Sequence, residues 1–94
     1  MAADLERPDL YVVARFLERL WRDQRPHRKT DLQLAVRLNY NVYKKYLEWM
    51  SAKGLIVLTP RDDGADTVSI TAKGLETYKT LVAWIKDTVG DEHL

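Results

Sequence analysis

The stretch from residue 30 to residue 71 constrains this chain more than any other. A short apolar helix is predicted over 31–37 and a tight turn at Leu38-Asn39-Tyr40, followed by a second helix over 41–53 that stops at Gly54. An apolar strand, Leu55-Ile56-Val57-Leu58-Thr59, comes next. Asp63-Gly64 then marks a hairpin turn before the alternating strand Thr67-Val68-Ser69-Ile70-Thr71. Two helices meeting at a short turn, with a hairpin behind them, make a shape whose second helix fits the major groove of DNA.

The flanking segments complete an α+β fold. Helix 1 is predicted over 9–23, with Leu10, Val13, Ala14, Leu17, Leu20 and Trp21 on one stripe. Pro26 ends it, and Arg28-Lys29 suits a short strand. Thr30 is a favourable cap for helix 2; Asn39 or Asn41 caps helix 3. Thr71 caps a last helix over 72–89, which Gly90 ends, leaving 91–94 as a frayed tail. The whole reads as one winged helix-turn-helix domain over 1–94: a three-helix core, a β-hairpin wing over 55–71 and a long C-terminal dimerisation helix.

Helices 1 and 4 carry more apolar surface than such a core needs. Leu75, Tyr78, Val82, Ile85 and Val89 alternate by three and four like a short heptad stripe. Val12, Phe16, Leu81 and Trp84 have no obvious partner within the chain. A homodimer is therefore expected, with Val12, Phe16, Tyr78, Leu81, Val82, Trp84, Ile85 and Val89 at its interface.

Charge is distributed to match. The formal net charge is only +1. Residues 22–45 hold seven basic side chains against two acidic ones, while both flanks are net negative. Positive charge thus lies on the helix-turn-helix and its approach, as a phosphate-binding face requires. On helix 3 the face opposite Tyr43, Leu47 and Met50 presents Asn41, Lys45, Glu48 and Ala52, with Lys44 at its edge. Asn41, Lys44 and Lys45 are the expected groove contacts: Asn reads adenine, and Lys reads guanine or holds phosphate. Arg28, Lys29 and Thr30 sit where the start of helix 2 meets phosphate. Tyr40 either stacks on a sugar or donates to phosphate, or else packs under the turn. Arg61 reaches toward a minor groove, although Asp62, Asp63 and Asp66 make the wing tip acidic.

Catalytic and metal chemistry is not expected. The chain has no Cys and two His, one in the segment before helix 2 (His27) and one in the tail (His93). Asp62, Asp63 and Asp66 lack the frame and terminal Glu of a calcium loop. No phosphate loop, nucleophile elbow or cofactor signature is present. An acidic N-terminus over 1–10 does not read as a signal peptide, and no apolar run is long enough to span a membrane. The expected setting is the cytoplasm, at the nucleoid.

The run Lys29-Thr30, Leu38-Asn39-Tyr40, Tyr43, Tyr46-Leu47-Glu48, Met50 and Lys53-Gly54-Leu55-Ile56 resembles the small archaeal winged-helix proteins that form DNA-binding dimers. Ile70-Thr71-Ala72-Lys73-Gly74 is similar to the step that opens the last helix in many winged-helix regulators. The resemblance covers residues 10–89. It implies a duplex DNA-binding transcriptional regulator, not an enzyme, whose last helix pairs antiparallel with its partner's. A protein-interaction module without DNA binding, or a nonspecific architectural chromatin protein, is the alternative. No cofactor is implied.

Overall fold

The computed structural model describes residues 7–89. The first six residues of the acidic N-terminus, the helix stop at Gly90 and the tail with His93 lie outside the described residues. In chain order the elements are α1 (Leu10–Asp23), β1 (His27–Arg28), α2 (Lys29–Val36), α3 (Tyr40–Ala52), β2 (Ile56–Thr59), β3 (Thr67–Ile70) and α4 (Ala72–Thr88). The three strands form an antiparallel sheet in the order β1-β3-β2. His27 pairs with Val68, and Ile56 pairs with Ile70.

Local chemistry explains most of the boundaries. Asp9 caps α1, its carboxylate accepting from the Tyr11 N–H at 2.9 Å. Gln24, left-handed at φ 52°, closes that helix. Asn39, not Asn41, caps α3 and accepts from the Val42 N–H at 3.0 Å. Thr71 caps α4, accepting from the Gly74 N–H. Gly54 adopts φ 78°, which lets the chain leave α3 for β2. Arg37 closes α2 at φ 60°, a conformation non-glycine residues rarely adopt.

Helix 2 departs from the sequence reading. It begins at Lys29, two residues before 31, so Thr30 lies in its first turn and is not the cap. The capping residue is Arg28, which offers no side-chain hydrogen bond. Sheet pairing replaces the missing cap: the Lys29 N–H donates to the Asp66 carbonyl at 3.1 Å. Strand β1 accordingly falls at His27–Arg28, one residue earlier than Arg28-Lys29.

The core also corrects the expected dimer surface. Phe16 is fully buried, its ring stacked on Tyr43 at 5.7 Å and on Tyr46 at 5.9 Å. Val12 is buried in the same cluster, with Leu17, Leu20, Leu32, Leu47 and Met50. Phe16 thus has intramolecular partners in α3, Val12 is covered within the same core, and α1 buries a wider face than one stripe. Ile85 is buried as well, and Leu81 packs partly against the core. A side chain with no exposed surface in the single chain has little to offer a second one.

α4 docks where α3 gives way to β2. A Cβ on Gly74 would fall 2.1 Å from the Leu55 carbonyl oxygen and 2.8 Å from Ile70 Cγ1. Gly74→Ala is expected to destabilise the fold by about 3 kcal/mol, because the obstacle is backbone. Gly64 has open space around it, so Gly64→Ala carries only the penalty of φ 79°, about 1 kcal/mol. Thermal denaturation of the two variants measures the difference.

Candidate nucleic-acid interface

α3 is oriented by its buried face. Tyr43, Tyr46, Leu47 and Met50 turn inward, which leaves Asn41, Lys44 and Lys45 exposed on the far side. Glu48 is half-buried. Tyr46 receives the Asp9 N–H on its hydroxyl at 2.9 Å, tying α3 to the start of α1. The Tyr43 hydroxyl donates to the Lys29 carbonyl, tying it to the start of α2. Burial raises the Tyr43 phenol above its ordinary value, so it remains a donor throughout the working pH range.

The start of α2, the start of α3 and the wing turn enclose a cleft of about 310 Å³. Arg28, Lys29, Thr30 and Tyr40 line it, joined by Gln33, Tyr43 and the 64–66 turn. Four of the eight residues expected to meet DNA therefore converge. Tyr40 is 55% exposed and faces this cleft, which decides against its packing under the turn. The first turn of α2 has no side-chain cap, its Lys29 N–H is taken by the Asp66 carbonyl, and a helix start with adjacent cations attracts anions. Gln33 was not anticipated; its amide donates to the Leu38 carbonyl at 3.2 Å and fixes the turn between the two helices. The role of Tyr43 was also missed, since helical spacing marks it only as core.

Arg61 stands apart from this group. It lines a separate shallow depression with Pro60, Asp62 and Asp63, and its Nε is 3.7 Å from the Asp63 carboxylate. A hydrogen bond from the Ala65 N–H holds the Asp63 carboxyl below its usual range, with help from Arg61 and Arg28. The wing tip stays anionic and turns its one cation inward on itself.

His27, in the segment before helix 2, is not free in solvent. It lies on β1 with its side chain 7% exposed. Nε2 is 2.6 Å from Asp23 Oδ2, and Nδ1 is 3.2 Å from the Arg25 carbonyl oxygen. The hydrogen bond from His27 lowers the Asp23 carboxyl below its ordinary value, against a smaller opposing effect of burial. Among the described residues no group of His, Asp and Glu is placed to hold a metal ion, and no helix is long and apolar enough to cross a membrane.

A family model described as winged helix-turn-helix matches residues 7–88. No curated protein and no solved structure matches the chain.

The Asp23 shift fixes the sign of an acid effect. A carboxyl whose folded value is lowered stabilises the fold above its unfolded value, near pH 4, and that contribution is lost as pH falls through the folded value. Asp23→Asn should flatten this part of the stability profile, as measured by denaturant titrations between pH 2 and pH 6.

Proposed function

Because the chain belongs to the winged helix-turn-helix family, we propose that it binds double-stranded DNA as a homodimeric transcriptional regulator, with α3 in the major groove. The convergence of Arg28, Lys29, Thr30 and Tyr40 in one cleft beside exposed Asn41, Lys44 and Lys45 carries this reading. The cleft takes backbone phosphate, which positions the protein. Asn41, one residue into α3, reads a base edge, and Lys44 and Lys45 contact guanine or phosphate. Arg61 contributes little, because Asp63 already occupies it. Such a regulator works in the cytoplasm, at the nucleoid.

Dimerisation uses what α4 leaves uncovered. Trp84 is 53% exposed and Val89 40%, large apolar areas for one helix end. Trp21, stacked on Tyr78 at 5.7 Å, borders a groove of about 410 Å³ with Val82 and Ala83. Tyr78, Leu81, Val82, Trp84 and Val89 remain as the interface once Val12, Phe16 and Ile85 are assigned to the core. Trp84→Glu should shift the sedimenting species toward monomer and leave the circular dichroism spectrum unchanged; an unchanged sedimentation coefficient removes α4 from the interface.

Fluorescence anisotropy with a labelled duplex tests the DNA reading. Affinity should fall steeply with salt, and Lys44→Ala/Lys45→Ala should reduce the salt slope by about two. Absence of binding at low salt would overturn it in favour of a protein-interaction module, a reading the self-paired acidic wing favours. Equal affinity for every duplex sequence would instead indicate an architectural role.

A further inference from the structure

We propose that His27 is a proton-dependent positioning residue: its imidazolium clamps the Arg28-Lys29 start of α2 to the end of α1, so DNA affinity falls as the ring loses its proton. The DNA half of this inference rests on the function proposed above; the clamp does not.

The geometry of the ring carries the argument. Asp23 Oδ2 and the Arg25 carbonyl oxygen can only accept hydrogen bonds when the carboxyl is ionised, and they face opposite ring nitrogens. A neutral imidazole has one N–H, so it turns a lone pair toward one of the two oxygens. Only the imidazolium satisfies both. The ring is nearly enclosed, so water is poorly placed to repair the mismatch.

The groups around the ring are mixed in sign. On α1 the contacting charge is Asp23, with Arg19 acting on that carboxylate. The segment after α1 contributes Arg25, which also acts on Asp23. On β3 the neighbours in register, Thr67 and Val68, are uncharged. β1 itself adds Arg28, and the first turn of α2 adds Lys29 and Asp31. The one charge in direct contact is negative, and it is held by a short hydrogen bond.

What the ring holds is the edge of the cleft. His27 pairs with Val68, Arg28 pairs with Thr67, and the Lys29 N–H donates to the Asp66 carbonyl. Arg28 and Lys29 both line the cleft. A two-residue strand is short, and the side-chain clamp supplies hydrogen bonds that its ladder does not.

The test combines two readouts on the full chain. Nitrogen-15 NMR of the free protein should find both ring nitrogens of His27 protonated at the acid end of the pH range, with Asp23 and the Arg25 carbonyl as their acceptors. Amide exchange at Arg28 and Lys29 should accelerate, beyond its ordinary pH dependence, as that proton is lost. Anisotropy with a duplex between pH 5.5 and 8.5 should show wild-type affinity falling by about fivefold or more, the scale of ordinary coupling between sites. His27→Gln should flatten that profile, with His93 unchanged in both proteins. Asp23→Asn provides a second variant should the first fold poorly. Amide exchange at Arg28 and Lys29 that ignores the protonation of His27, or a His27→Gln profile that follows wild type, overturns the proposal. A protonated ring with pH-sensitive exchange at Lys29 but no DNA binding at any pH supports the clamp and overturns the DNA reading instead.

Discussion

Between Gly74 and the carbonyl of Leu55 there is no room for a side chain, and much of the architecture follows from that contact. It brings the first turn of α4 onto the junction of α3 and β2. There the Thr71 hydroxyl donates to the Gly54 carbonyl at 2.6 Å, Lys73 Nζ to the Lys53 carbonyl at 2.8 Å, and the Thr71 N–H to the Leu55 carbonyl. Carbonyls left over where a helix ends are thereby satisfied by the start of another helix. The same contact joins the end of β3 to the beginning of β2, closing the base of the wing. Lys53-Gly54-Leu55 and Thr71-Ala72-Lys73-Gly74 are two halves of one joint.

A second constraint sets the direction of α3. Phe16 lies between Tyr43 and Tyr46, and each tyrosine carries a hydroxyl that reaches a backbone group at the rim of the core. Stacked rings fix the buried face by area, and their polar ends fix rotation about the helix axis. Asn41, Lys44 and Lys45 point outward because these three aromatics point inward.

Much of this was legible in the sequence. The turn at Leu38-Asn39, the left-handed Gly54 and the cap at Thr71 are local chemistry, set by residues close together in the chain. Other features depend on distant partners. Thr30 is a better capping residue than Arg28, yet α2 starts earlier because Asp66, on the far side of the wing, accepts the Lys29 N–H. Val12 and Phe16 fall off the stripe of helix 1 because periodicity counts one covering surface, and α1 has more than one: α4 packs along it while Phe16 meets α3. His27 sits among Arg25, Pro26 and Arg28, a context that reads as exposed; its burial comes from α1 and β3. The cleft was half visible: its basic residues stood out by charge, whereas Gln33 and Tyr43 enter through folding alone.

Arg37 holds a left-handed conformation in the bend between α2 and α3, at a position where glycine would rest without strain. The penalty is on the order of 1 kcal/mol, an appreciable share of the margin by which a domain this small stays folded. That bend is also part of the most cationic segment of the chain. Relaxing it with glycine would give a sturdier protein with one positive charge fewer on that segment. Durability and attraction for polyanions are therefore set against each other at one backbone angle.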